Sequence, residues 1–146
     1  YCSGIVYHRR DRKAGDEDVL TVPLTKPGWA YCSMAACYGL SAVTLPGDKP
    51  AILRNRVSGI ELIEDAKETS QYRDPAKSTA RPGDLVIVDR PTPEGWTTHT
   101  TIAVSDPGPG KPIVTVGTNE ATLNGWSSAG GVSRARSTIK AIIAID

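Results

Sequence analysis

Phenylalanine is absent from these 146 residues and methionine occurs once, so the large apolar volume of the interior must come from three tryptophans, five tyrosines and the aliphatic residues. Two histidines (His8, His99) and three cysteines (Cys2, Cys32, Cys37), with no Cys-x-x-Cys pair, are too few and too scattered for a zinc set. No metal and no cofactor is therefore expected. An odd number of cysteines allows one disulfide plus a thiol, or three thiols. No apolar run approaches the length of a membrane span. Charge of one sign is lacking too: 17 basic against 16 acidic residues leave a net +1, and no global field draws the chain to nucleic acid or a membrane surface. Internal repeats and low-complexity tracts are missing as well.

What is present is an ordinary globular composition, 39% hydrophobic and 23% charged, with 14 glycines and 11 prolines that imply many turns and short strands. The length suits one domain over residues 1–146, expected to be monomeric. The chain opens on Tyr1 rather than methionine, which reads as a processed chain or an excised domain.

The most informative stretch runs from Pro27 through Gly28, Trp29, Ala30, Tyr31 and Cys32 to Gly39. Pro27 and Gly28 break what precedes them, and Ser33 to Tyr38 is a run of small, helix-compatible residues that Gly39 can end. Cys32 thus falls in the first turn of a helix, facing unsatisfied backbone N–H groups and the positive end of the macrodipole, a setting that suits a nucleophilic thiol. A free cysteine is also commonly just a small buried apolar residue, and that reading stands beside the first. Cys37, five residues on, is rotated by about 140° around the helix and is expected in the core.

Before this helix, Tyr1 to Tyr7 is a short apolar start, His8 belongs to a solvated basic cluster, and Val19 to Leu24 reads as a strand or an approach loop. After it, the spacing of Ile52, Leu53, Val57 and Ile60 predicts a second helix over Ala51–Ser58, entered through Pro50. Ile60 to Asp65 reads as extended, and Lys67 to Ala80 as polar loop. The second half changes period: strands are predicted at Asp84–Asp89, Thr98–Ser105, Ile113–Gly117 and Ser137–Ile145, with Pro91–Trp96 a hairpin-like connection and Gly125–Gly131 a loop. Helices first and an antiparallel meander second is an α+β layout.

A cysteine nucleophile needs a base in hydrogen-bond reach, and the base needs a polar group to hold its ring. His99, at the start of a predicted strand between Thr97-Thr98 and Thr100-Thr101, is the candidate base; Asn119, just past the next strand, is the candidate third member. The alternatives are a solvent-facing strand histidine and a turn-forming asparagine.

In order, the landmarks are Trp29-Ala30-Tyr31-Cys32 opening a helix, Arg81-Pro82-Gly83-Asp84 leading into Leu85-Val86-Ile87-Val88, then His99, then Val116-Gly117-Thr118-Asn119. This order, over Lys26–Asp146, resembles the CHAP amidase/peptidase group of the NlpC/P60-like, papain-fold superfamily, whose members cut peptidoglycan. The resemblance implies a papain-like fold with N-terminal helices packed on the meander. It implies Cys32 as nucleophile, His99 as general base and Asn119 as orienting group, with Glu120 a substitute for Asn119. It also implies a peptidoglycan peptide substrate, an immunity or inhibitor protein as partner if the chain is a toxin effector, and a secreted, periplasmic or wall-delivered location. A papain-like effector acting on a protein target, and an inert module on the same fold, are the other readings. Two departures stand out: His99 is followed by Thr100-Thr101 where such proteins commonly carry Val-Gly, and Gly117 occupies a position that is often acidic. Residues 1–25 form an extension without clear counterpart. Within them Cys2-Ser3-Gly4 also looks like an NlpC/P60 helix opening, but it lies far from Pro82-Gly83-Asp84 and reads as a decoy.

Overall fold

Leu85, Val86, Ile87 and Val88 are all buried, which identifies their strand as one covered on both faces. The computed structural model describes residues 6–10, 17–21, 32–91, 97–122 and 125–146, and its elements follow from a few such patterns. Strands β1 (Val6–Arg10) and β2 (Glu17–Thr21) form an antiparallel pair that sets Arg9 opposite Asp18 and Arg10 opposite Glu17. Helix α1 spans Cys32–Ser41, and a small hairpin, β3 (Thr44–Leu45) and β4 (Lys49–Pro50), follows it.

The second helix, α2, spans Gly59–Glu68, not 51–58 as the apolar spacing suggested. Its buried face carries Gly59, Glu61, Leu62, Asp65 and Ala66, so two of the inward positions are acidic and an apolar period could not reveal it. Ala51, Ile52 and Val57 are indeed buried, but on a bent segment. That segment is held by Arg56, whose Nε and Nη2 donate to Asp65 at 2.7 and 2.9 Å. Ile60–Asp65 is accordingly helical, not extended. The polar stretch after it contains a short strand, β5 (Tyr72–Arg73).

The main sheet has six strands in the order β5, β10, β6, β7, β8, β9, with β6 (Leu85–Asp89), β7 (Thr98–Ser105), β8 (Ile113–Thr122), β9 (Gly125–Arg134) and β10 (Ile139–Ile143). Its described pairings are antiparallel, and β6 to β9 form the meander. Gly125–Gly131 is therefore strand rather than loop; its glycine and serine content carries no alternation, and pairing with β8 fixes it. The last strand is shorter than Ser137–Ile145 because Arg136–Thr138 forms a 3-10 turn.

Two apolar clusters lie in or against the main sheet. Ala36, Cys37 and Leu40 of α1 and Leu62 and Ala66 of α2 pack with Leu85, Ile87, Ala141 and Ile143. The alternate residues Val86, Val88 and Ile142 join Ala103, Ile113, Ile139 and Ala80 in the other cluster. This is the period-2 alternation of a strand, read from both clusters at once. The architecture is α+β, two helices and an antiparallel sheet. No described helix is long and apolar enough to cross a membrane.

Candidate functional site at the start of helix α1

Cys32 is the first residue of α1, as its sequence context predicts. Its side chain is 5% exposed, and Cys32 and Cys37 are both thiols rather than halves of a disulfide. Helix α1 packs across β7 and β8, the strands that carry His99 and Asn119. Cys37 is fully buried, accepting a hydrogen bond from the Arg56 amide at 3.4 Å, so its place is the core. Cys2 and Trp29-Ala30-Tyr31 lie outside the described residues, as do positions 92–96 of the expected hairpin connection.

The direct link between the helix start and β7 is a hydrogen bond between the hydroxyls of Ser33 and Thr100, 2.6 Å apart and buried. These are the residues immediately after Cys32 and His99. A side chain at Gly59, the first residue of α2, would meet the same strand: a Cβ there would stand 2.8 Å from Thr98 Oγ1 and 3.1 Å from Thr100 Oγ1. Both helix starts thus converge on the face of β7 that carries Thr98 and Thr100. Ile102 belongs to this face too, packing against the cluster that contains Cys37 and Ile87.

His99 pairs with Val88 across β6 and is 0% exposed, with Nδ1 buried. Because successive residues of a strand alternate, His99 belongs with Thr101 and Ala103 on the side that Val86 and Val88 occupy, opposite Thr100. The structure therefore brings the neighbours of Cys32 and His99 together, Ser33 to Thr100. By that alternation, of His99 and Thr100, it is Thr100 whose side chain meets the first turn of α1.

Asn119 is a residue of β8, within the strand rather than beyond its end; its side chain and that of Glu120 lie outside the described set. Strands β7 and β8 pair Ile102 with Val116 and Ala103 with Thr115. Asn119 therefore lies on the strand next to the one that carries His99.

The Arg81-Pro82-Gly83-Asp84 motif has a structural role. Gly83 takes φ +96°, a conformation open to glycine, and its amide donates to Ala103 of β7 at 2.9 Å. The buried Asp84 carboxylate accepts from the Arg81 amide at 2.8 Å and from the Ile145 amide at 2.9 Å. It closes the turn into β6 and pins the segment after β10. Sequence reasoning missed Ser33, Thr100 and Gly59 at the helix junction, since one hydrogen bond 67 positions apart leaves no local pattern.

Among the described residues no group of three or more His, Cys, Asp or Glu side chains is placed to hold a metal ion. No protein-family profile, curated protein or solved structure matches the chain.

Proposed function

We propose that this chain is a cysteine hydrolase of the CHAP type that cleaves amide bonds in peptidoglycan peptides, with Cys32 as nucleophile, His99 as general base and Asn119 as its orienting group. The observation that carries the proposal is the placement of Cys32 as the first residue of a helix packed across the two adjacent strands that hold His99 and Asn119. In this reaction the Cys32 sulfur attacks the amide carbonyl carbon and its proton passes to His99. The carbon–nitrogen bond breaks, the amine leaves with the proton from the imidazolium, and a thioester remains. Water, deprotonated by His99, then hydrolyses the thioester and restores the thiol. The Cys32 amide, at the helix start, supplies one donor for the developing oxyanion.

The mechanism requires the imidazole on the thiol's side of β7. The side chain that faces the helix start in the described arrangement is Thr100, and this observation favours a second reading, an inert module on the same fold in which Cys32 is a packing residue. Incubation with purified peptidoglycan, followed by mass spectrometry of the released fragments, separates the two. The hydrolase releases peptide or glycan fragments that Cys32→Ala and His99→Ala do not. Equal release by wild type and Cys32→Ala removes the hydrolase reading for the wall types used.

A further inference from the structure

Ser33 and Thr100 are each 1% exposed, and their hydroxyls are joined at 2.6 Å between the first turn of α1 and strand β7. Helix first turns are held by few bonds of their own, because their N–H groups lack intrahelical partners. A buried bond to another element is then a large share of what keeps that turn in place. Thr100 is itself fixed from three sides. It is paired with Ile87 across β6, it faces Gly59 at the start of α2, and it meets Ser33.

We propose that Thr100 is a positioning residue for the reactive cysteine: through Ser33 it clamps the first turn of α1 onto β7 and so keeps Cys32 shielded until that turn opens. The proposal rests on the reading of Cys32 as the reacting thiol, and its prediction is about thiol access, which is measured without any peptidoglycan substrate. Opening of the turn breaks the hydroxyl pair and lifts Cys32 away from the sheet, and the bulk of the core around Cys37 stays closed. Cys32 and Cys37 are five residues apart on one helix but differ in this respect. Cys37 is packed with Leu40, Val57 and Leu62 in the apolar cluster beneath the helices, whereas Cys32 is outside that cluster.

The test is site-resolved alkylation of the intact chain by iodoacetamide, with peptide mass spectrometry giving separate rates for Cys32 and Cys37. Thr100→Val keeps the shape of the side chain and removes the hydroxyl. The Cys32 rate is expected to rise about fivefold to tenfold, the change in open population that follows loss of one buried hydrogen bond. The Cys37 rate is expected to stay at its wild-type value. Ser33→Ala should give the same pattern, and Thr100→Ser, which retains a hydroxyl, should return the Cys32 rate to within about twofold of wild type. An unchanged Cys32 rate in Thr100→Val overturns the proposal. So does a parallel rise at Cys32 and Cys37, which shows general loosening or misfolding rather than a local clamp. Neither result depends on whether the chain cuts peptidoglycan, so failure of the clamp and failure of the hydrolase reading remain distinct.

Discussion

At the scale of single residues, the most consequential side chain outside the candidate site is Asp65. It sits on the buried face of α2 and accepts two hydrogen bonds from Arg56 and one from Arg54 at 3.2 Å. Arg56 is 1% exposed, so its charge has little water to fall back on. Asp65→Ala removes two hydrogen bonds and the facing carboxylate from that buried guanidinium, and the expected loss is about 3–5 kcal/mol, read as a lower urea midpoint. A loss below about 1 kcal/mol would mean that water reaches the guanidinium. Gly59 is the other sensitive position, for steric reasons. An added methyl would meet Thr98 Oγ1 at 2.8 Å, with Ile87 and Thr100 close behind, so Gly59→Ala is expected to cost about 1–3 kcal/mol as an overpacked contact. Adding Thr98→Ala should recover part of that loss; no recovery would point to the helix start itself rather than to the contact.

Among the elements, α2 shows best what a sequence reveals and hides. Its C-terminal end is closed by Ser70 in the left-handed region at φ 62°, with the Gln71 amide donating to the Ala66 carbonyl at 2.8 Å. This is a Schellman closure built on serine where glycine is usual. Ser70→Gly removes the left-handed penalty and is expected to raise stability by about 0.5–1 kcal/mol, whereas Ser70→Val should lower it, both measured by thermal melting. Nothing in the run from Lys67 to Gln71 announces that stop, since no glycine or proline marks it. The start and inner face of α2 were equally hard to read. Glu61 and Asp65 face inward, while Ile52 and Val57 mimic helical spacing on a bent segment that Arg56 holds in place. Strands β6, β7 and β10 were legible because each carries a dense β-branched run, and α1 because Pro27-Gly28 and Gly39 bracket small residues. In the candidate site, Cys32 at a helix start and His99 on a strand could be read in advance, whereas Asn119 lies within β8, a strand whose apolar pattern ends at Gly117. Which face of β7 meets the helices could not. Thr98, His99, Thr100 and Thr101 offer no polar–apolar alternation, and only tertiary contacts decide between the two phases.

For the whole molecule, the setting of the helical layer against that strand decides the chemistry available, because a shift of one residue would exchange Thr100 for His99 at the start of α1. Disulfide trapping reads this phase directly. In a Cys2→Ala, Cys32→Ala, Cys37→Ala background, Ser33→Cys with Thr100→Cys replaces two oxygens 2.6 Å apart by two sulfurs, a separation that small rotations convert into a disulfide. The described packing predicts that this pair oxidises readily and, by closing a loop of 67 residues, raises stability by about 4 kcal/mol. The companion variant keeps Cys32 and carries His99→Cys, with Cys2 and Cys37 replaced by alanine. With position 99 on the far side of β7, this pair should stay reduced under the same oxidant. Bridging at 33–100 alone therefore fixes the phase described and strengthens the inert-module reading, in which Cys32 is a packing residue. Bridging at 32–99 instead would turn β7 by one residue relative to α1 and place the His99 ring where a cysteine hydrolase needs its base.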